Sequence, residues 1–228
     1  MREIVLDTET TGLDPNSGHR IVEIGCVEMV NFSVTGNYLH EYLNPERDMP
    51  DEAFRVHGLS NDFLADKPLF ADVADKFLDF IGDARLVIHN AEFDMKFINA
   101  ELMQIGRSPI PMDRARDTVA MARRKFPGAQ ANLDALCNRF GIDNTARTKH
   151  GALLDSELLA EVYIELLGGK QIGLSLAGDE AEDDDGQTVK TAVERTFRPP
   201  RPHAASEAEL AAHAELLTQL DNPIWTRD

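Results

Sequence analysis

The order in which apolar patterns follow one another along the chain most constrains its fold. Residues 3–8 form a short apolar run, and the strand-like segments 20–30 and 38–43 follow, separated by a turn-like stretch around Gly36. Such segments are typical of strands, and two in succession predict an antiparallel meander. From residue 66 onward, helix-like and strand-like segments alternate. Strands followed by alternating elements predict a mixed α/β sheet flanked by helices.

Helical periodicity and end signals place the remaining elements of the sheet and its helices. In chain order they are a helix opened by Asp66 and Pro68 and closed by Gly82, a strand over 85–89, a helix from Asn90 to Gly106, helices over 117–125 and 133–140, and a helix from Gly151 to Gly168 and Gly169. The folded domain is therefore expected to end near residue 170.

The composition changes beyond that point. An acidic run and a PPRP segment with few large apolar residues predict a flexible linker, and Ser206 with Glu209 forms a potential capping box for a last helix. The predicted organisation is a folded domain over 1–170, a short peptide over 171–176, a linker over 177–205 and a C-terminal segment over 206–228.

Charge and cysteine content narrow the class of protein. With 40 acidic and 23 basic residues, the formal net charge is −17, which repels nucleic acids and membrane surfaces at long range. A protein drawn to DNA by its own charge is therefore disfavoured, and no apolar run is long enough to span a bilayer. Cys26 and Cys137 lack zinc-site spacing and are expected to be buried thiols. The N-terminus carries no secretory pattern, so a cytoplasmic location is expected.

A pair of acidic residues stands at the end of the first predicted strand. Asp7 and Glu9 are two residues apart, so their side chains point to the same face of the strand. Like charges this close are costly unless a proton or a cation lies between them, and Mg²⁺ favours oxygen ligands. Taken alone, the pair fits a solvated loop start equally well.

Two further acidic positions lie at the starts of predicted helices. Asp94 falls in a first turn, where it also suits the helix dipole, with Asn90 as the N-cap. His150 and Asp155 are five residues apart, so they converge only if His150 lies on the loop before the helix. An Asp in an apolar stripe needs a cation or a donor, whereas a lone His is more often a capping or packing residue.

Three short motifs combine these positions in a fixed order: DTETTG at 7–12, HNAEFD at 89–94 and HGALLD at 150–155. Together they resemble the three motifs of the DEDDh exonuclease family, whose fold is ribonuclease H-like. The resemblance continues through EAFRVHGLS at 52–60, LDALCNRFGIDN at 133–144 and LLAEVYIELLGG at 158–169. The pattern is similar to that of the members that proofread for bacterial DNA polymerase III. It implies a five-stranded mixed sheet and a two-metal 3′-to-5′ exonuclease.

The resemblance also implies a role for each residue of the three motifs. Asp7, Glu9 and Asp155 would hold one Mg²⁺ or Mn²⁺ ion, Asp7 would bridge to a second, and Asp94 would act directly or through a coordinated water. His150 would be the general base that takes a proton from the attacking water. Two such ions would bring four positive charges to the cleft, and these charges would offset the repulsion between DNA and an acidic protein there.

By the same resemblance, Glu52 and His57 would contact the terminal nucleotide of the substrate. The alternative for His57 is a loop-ordering role beside Gly58. The expected substrate is a single-stranded or frayed DNA 3′ end, because a stacked duplex end would have to melt before it enters a narrow cleft.

The tail suggests two partners. The peptide QIGLSL resembles the segment by which polymerase subunits dock on the sliding clamp, with Gln171, Leu174 and Leu176 as its anchors; alternatively, the leucines pack back on the domain. Trp225 stands in the C-terminal segment after a long polar linker, and the resemblance implies that it anchors the chain to the DNA polymerase III catalytic (alpha) subunit. The alternative is a terminal helix that folds on its own domain.

Two rival functions fit the same fold. A stand-alone DEDDh ribonuclease or oligonucleotide trimmer would not need the long C-terminal extension. A non-catalytic adaptor between clamp and polymerase would not need the five intact acid and histidine positions. We therefore expect a proofreading exonuclease, and a metal-dependent nuclease assay separates it from the adaptor.

Overall fold

The computed structural model describes residues 1–169 and 204–220. The elements of the first range are β1 (Arg2–Thr10), β2 (Ile21–Val30), β3 (Ser33–Tyr42), α1 (Asp51–His57), α2 (Asn61–Leu64), α3 (Phe70–Ile81), β4 (Arg85–Ile88), α4 (Ala91–Gln104), β5 (Ala115–Asp117), α5 (Thr118–Lys125), α6 (Leu133–Phe140) and α7 (Ala152–Leu166). The second range contains α8 (Glu207–Thr218). Within these two ranges no helix combines the length and the apolar character needed to cross a bilayer.

The five strands form one mixed sheet in the order β3-β2-β1-β4-β5. The pairs β1–β2 and β2–β3 are antiparallel, and the pairs β1–β4 and β4–β5 are parallel. The predicted meander and the predicted five-stranded mixed sheet are therefore confirmed. In the register of β1 and β2, Asp7 lies opposite Gly25 and Glu9 lies opposite Glu23.

The turn between β2 and β3 lies earlier than predicted. Asn31 and Phe32 form it with left-handed φ angles of 50° and 62°, whereas Gly36, the predicted turn, lies inside β3. Residues 33–38 are all exposed on this edge strand. Because an edge strand that faces water on both sides shows no alternation of apolar and polar residues, its first half resembles a turn in sequence.

Other boundaries also differ from the predictions. The helix α3 begins at Phe70 rather than at Asp66, because the Asp72 carboxylate accepts a hydrogen bond of 2.9 Å from the backbone N–H of Leu69 and so fixes the helix start there. The short elements α1, α2 and β5 have too few residues to show a period in sequence. In the fold, α1 forms one wall of the cleft described below.

The sheet separates two hydrophobic cores. Ile4 and Leu6 on β1 face the core of α3 and α4, and Val5 faces the core of α5, α6 and α7. The two faces alternate along β1 because successive side chains of a strand point in opposite directions. Cys26 lies in the first core and Cys137 in the second, both as buried free thiols, as predicted.

A glycine lets α7 approach the centre of the sheet. A Cβ atom on Gly25 would lie 2.2 Å from the carbonyl carbon of Ala152, at the start of α7. Ser156, one turn further on, donates a hydrogen bond of 3.0 Å to the Gly25 carbonyl oxygen. Since Gly25 is the cross-strand partner of Asp7, this contact brings the first turn of α7 to the end of β1 that carries the acidic pair.

The second described range contains the predicted terminal helix. The Ser206 hydroxyl accepts a hydrogen bond from the backbone N–H of Glu209, and the Glu209 carboxylate accepts one from the backbone N–H of Ser206, so the capping box is confirmed. Leu210 and Leu216 are exposed on this helix. The predictions for Gln171, Leu174, Leu176, Trp225 and most of the linker concern positions outside the described residues.

Candidate active site

Three separate segments of the chain contribute five acidic and histidine side chains to one cavity. Its volume is about 490 Å³, and the predicted catalytic residues that line it are Asp7, Glu9, Asp94, His150 and Asp155. Asp7 and Glu9 come from β1, on the face that turns toward α7. Asp94 comes from the first turn of α4, His150 from the loop before α7 and Asp155 from the first turn of α7. The structure thus brings together residues that lie up to 148 positions apart in sequence, between Asp7 and Asp155.

Thr8 positions the carboxylate of Asp94. Its backbone N–H and its hydroxyl both donate to Asp94 Oδ1, at 3.0 and 2.7 Å. Thr8 points to the opposite face of β1 from Asp7 and Glu9, so this contact joins the first turn of α4 to the strand end. Asn90 is the N-cap residue of α4, as predicted, but it adopts a left-handed φ of 67° and its side chain makes no capping hydrogen bond.

His150 stands on the loop before α7, where its spacing from Asp155 requires it to stand. Its backbone N–H donates to the Val56 carbonyl oxygen at 3.2 Å, which ties this loop to α1. His150 Nδ1 lies 3.4 Å from Asp155 Oδ2, and the imidazole is half-exposed while the carboxylate is buried. One ligand atom each from Glu9, His150 and Asp155 lie within 4.8 Å of one another, which is a spacing that suits a metal ion.

The carboxylates of this cavity are poorly solvated and repel one another. Burial, together with the nearby carboxylates of Asp155, Glu23 and Asp94, raises the pKa of Glu9 to about 8. Burial raises the pKa of Asp94 to about 7, although the hydrogen bonds from Thr8 oppose the shift. Burial, with the charges of Asp94 and Glu9, holds the pKa of Asp7 well above its usual range. Such a group of oxygen donors fits hard divalent cations, which would neutralise it.

One charged side chain of the cavity is not predicted from the sequence. Arg147, on the loop before α7, enters the cavity with only 8% of its side chain exposed and donates to both carboxylate oxygens of Asp155, each at 2.6 Å. Burial would raise the pKa of Asp155, but the hydrogen bonds and the positive charge of Arg147, with His150 nearby, outweigh it and hold this pKa below its usual range. An arginine in a polar loop has no periodic pattern, so the sequence carries no signal that places it here.

A second cavity of about 500 Å³ adjoins the first and shares Thr8, Glu9 and Phe93 with it. Glu52 and His57, the predicted substrate residues, both line it. Glu52 is exposed on α1, whereas His57 is buried and accepts a hydrogen bond at Nδ1 from the Leu59 backbone N–H at 3.1 Å. Its buried Nε2 has no hydrogen-bond partner among the described residues.

The raised pKa values predict that the metal-free protein loses stability as pH rises. A carboxyl group whose pKa is higher in the folded than in the unfolded state binds more protons when folded, so folding is penalised progressively as pH rises through that range. For Glu9 the range runs from its unfolded value of about 4.3 to about 8. Thermal melts in chelator at pH 5.5 and 8.5 should therefore show the lower Tm at pH 8.5, and Mn²⁺ should restore it.

The variant Glu9→Gln isolates this effect from the other charges of the protein. Because one pKa unit corresponds to about 1.4 kcal/mol, and 1 kcal/mol to about 2–4 °C for a domain of this size, the variant should exceed the wild type in Tm by several degrees at pH 8.5 in chelator. The two proteins should melt closer together at pH 5.5. A difference that does not change with pH would contradict the assignment of this titration to Glu9.

Comparison with known proteins agrees with the fold and the motifs. Residues 4–163 match the model of the RNase_T family, described as exonuclease, and the chain therefore belongs to this exonuclease family. The subunit epsilon of DNA polymerase III from Rickettsia conorii is 52% identical over 225 residues, which cover 96% of this chain and 96% of that protein. The epsilon subunit from Escherichia coli is 46% identical over 220 residues, with coverages of 93% and 90%. The resemblance predicted from the three motifs is confirmed.

Solved structures of nucleases share the fold. Exonuclease X, solved in complex with 5′ overhanging duplex DNA, is 26% identical with a TM-score of 0.57, and the match covers 72% of this chain and 90% of that one. The nuclease domain of 3′hExo, a DEDDh family member solved with bound rAMP, is 20% identical with a TM-score of 0.63 and coverages of 73% and 91%. The second likeness bears on the fold alone, and both agree with the predicted ribonuclease H-like sheet.

Proposed function

We propose that this chain is a 3′-to-5′ exonuclease that removes mispaired nucleotides from DNA 3′ ends as the proofreading subunit of a bacterial DNA polymerase III, in the cytoplasm. The observation that carries the proposal is the convergence of Asp7, Glu9, Asp94, Asp155 and His150 on one cavity. Its relatives of about half-identical sequence over nearly the whole chain are epsilon subunits of that polymerase. An acidic protein with this cavity suits a substrate that is delivered by a partner rather than attracted from solution.

The four carboxylates would hold two divalent ions, Mg²⁺ or Mn²⁺. Asp7, Glu9 and Asp155 would bind one, Asp7 would also bind the second, and Asp94 would act directly or through water. When bound, such a pair of ions lowers the pKa of the attacking water and stabilises the negative charge on the leaving 3′ oxygen. The raised pKa values of Asp7, Glu9 and Asp94 support this assignment, because these groups lack a neutralising partner of sufficient charge.

His150 would act as the general base. Its half-exposed imidazole stands at the edge of the cavity, where a ring nitrogen can accept the proton of an attacking water. The imidazolium that forms would lie beside Asp155, whose negative charge stabilises it. The backbone hydrogen bond to Val56 holds His150 at this edge, on the side of the substrate cavity.

The adjoining cavity would receive the terminal nucleotide. The unpartnered Nε2 of His57 offers a hydrogen bond to a bound nucleotide, and Glu52 stands on the exposed rim of α1. The hydrogen bond between His57 Nδ1 and Leu59 also suits the alternative role of ordering the loop. The two roles are compatible because they use different ring nitrogens.

Mispaired primer ends should be digested faster than paired ends. A terminal nucleotide must leave its duplex to enter the cavity, and a mismatch lowers that cost. A terminal mismatch that lowers this cost by about 1.4 kcal/mol raises the rate about tenfold. We therefore expect a preference of about tenfold for a 5′-labelled primer with one terminal mismatch. The same strand without template sets the upper limit of the rate. Equal rates on paired and mispaired ends would remove the proofreading role and leave a general exonuclease.

The tail would connect the nuclease to the replication machinery. We propose that Gln171, Leu174 and Leu176 bind the sliding clamp and that the segment 206–228, with Trp225, binds the polymerase catalytic (alpha) subunit. Deletion of 206–228 should abolish co-purification with the catalytic subunit while nuclease activity on single strands persists. Replacement of Gln171 and Leu174 by Ala should weaken clamp binding alone. Retained binding in either variant would contradict the corresponding contact.

A further inference from the structure

The loop between α6 and α7 brings a permanent positive charge into the carboxylate cavity. Nε and Nη2 of Arg147 donate to different oxygens of Asp155, each at 2.6 Å, and Nη1 donates to Asp134 at 2.9 Å. A guanidinium that grips both oxygens of a carboxylate forms one of the strongest side-chain pairs. Asp155 is also a proposed metal ligand, so two kinds of cation compete for the same carboxylate.

The same guanidinium also contacts the proposed base. Nη2 of Arg147 lies 2.8 Å from Nδ1 of His150. Because arginine has only donors, Nδ1 must accept this hydrogen bond and its lone pair is occupied. Nη2 therefore lies between His150 and Asp155, two of the three residues whose ligand atoms come within 4.8 Å of one another. A divalent ion held by Glu9 and Asp155 would meet Nη2 at close range and repel it.

The charge of Arg147 reaches beyond Asp155. Arg147 lines the same cavity as Asp7 and Glu9, so its positive charge acts on both of these carboxylates. Its side chain is 8% exposed, so water screens this charge little. The single positive charge of Arg147 therefore neutralises part of the negative charge of the carboxylates. Two divalent ions, with four positive charges, would neutralise the rest.

We propose that Arg147 is a built-in counter-ion of the metal cavity, which neutralises the carboxylates before divalent ions bind and moves from Asp155 toward Asp134 as they enter. This inference rests on the metal-dependent function proposed above. Asp134 is half-exposed and already accepts a hydrogen bond from Nη1, so the displaced guanidinium keeps a partner. The displacement frees Asp155 and Nδ1 of His150 together. Arg147 is thus a positioning residue that makes the base available only when the metal site is filled.

The test is the affinity of the full chain for Mn²⁺ without substrate, measured by the electron paramagnetic resonance of free Mn²⁺. Arg147→Gln removes the competing charge, so Mn²⁺ should bind at least about tenfold more tightly than to the wild type. Arg147→Lys keeps the charge but cannot grip both oxygens of Asp155, and its affinity should be intermediate. Arg107→Gln is the matched control, because Arg107 forms an exposed ion pair with Asp75 and its loss changes the net charge equally.

Unchanged or weaker Mn²⁺ affinity in both Arg147 variants, relative to the Arg107 control, would overturn the inference and leave Arg147 as a structural ion pair. If Arg147→Gln does not fold, the comparison of Arg147→Lys with the wild type decides the question. Absence of Mn²⁺ binding by the wild type and by every variant would overturn the proposed metal-dependent function as well. The two failures are therefore distinguishable.

Discussion

Replacement of Asp7 by Asn should lower the exonuclease turnover at least about 10³-fold, because each tenfold loss corresponds to about 1.4 kcal/mol and a metal ion contributes several kcal/mol to the transition state. Asp7 lies on the central strand β1 and is the proposed bridge between the two ions. The measurement is single-turnover digestion of a labelled single strand at saturating Mg²⁺. Asp7 is the carboxylate of the cavity that lies opposite Gly25 in the sheet, and no other carboxylate of the cavity can take this position in the variant.

The same variant should be at least as stable as the wild type in chelator at pH 8. The raised pKa of Asp7 means that its charged form is unfavourable in the metal-free cavity, and the neutral amide removes that cost. Asp62→Asn, an exposed acid on α2, is the matched control and should change neither activity nor stability appreciably. An Asp7→Asn protein that is folded and retains more than a tenth of the wild-type activity would contradict the catalytic role.

Replacement of His150 by Ala should lower turnover by about 10²–10⁴-fold, the usual contribution of a general base. Substrate affinity and Mn²⁺ binding should change little, because the carboxylates remain. Since the imidazole is 48% exposed, added imidazole can reach the vacated space and should restore part of the activity.

Rescue of the activity by added imidazole distinguishes a role of His150 as the base from a role in shaping the loop alone. His150→Gln keeps a polar side chain of similar size but cannot accept a proton at neutral pH, so it should be as inactive as His150→Ala and should gain nothing from imidazole. Activity of His150→Gln near that of the wild type would show that His150 has a structural role and that another group takes the proton.

The parts of the structure that follow from local periodicity could be predicted. The alternation of side chains along β1 places Asp7 and Glu9 on one face, and helix geometry requires His150 to precede the helix that carries Asp155; both placements agree with the structure. The capping box of Ser206 is equally local. The catalytic roles themselves stay predictions, because they depend on ions and substrate.

The parts of the structure that depend on long-range contacts could not be predicted from the sequence. The first half of β3 is exposed on an edge and carries no alternation, so the sequence predicts the turn at Gly36 rather than at Asn31, where the structure has it. Gly25 is needed because α7 packs directly on the strand backbone, which no local pattern reveals. Arg147 enters the cavity through ion pairs with residues eight and thirteen positions away, Asp155 and Asp134, and such pairs leave no period in the sequence.

Anomalous diffraction from crystals of the protein with Mn²⁺ and a nucleoside 5′-monophosphate tests the central claim most directly. The four carboxylates of Asp7, Glu9, Asp94 and Asp155 line one cavity, and the proposal predicts two Mn²⁺ peaks inside it, about 3.5–4 Å apart, with Asp7 in contact with both. A cavity without Mn²⁺ at millimolar concentration, or ions bound only elsewhere on the acidic surface, would contradict the two-metal nuclease.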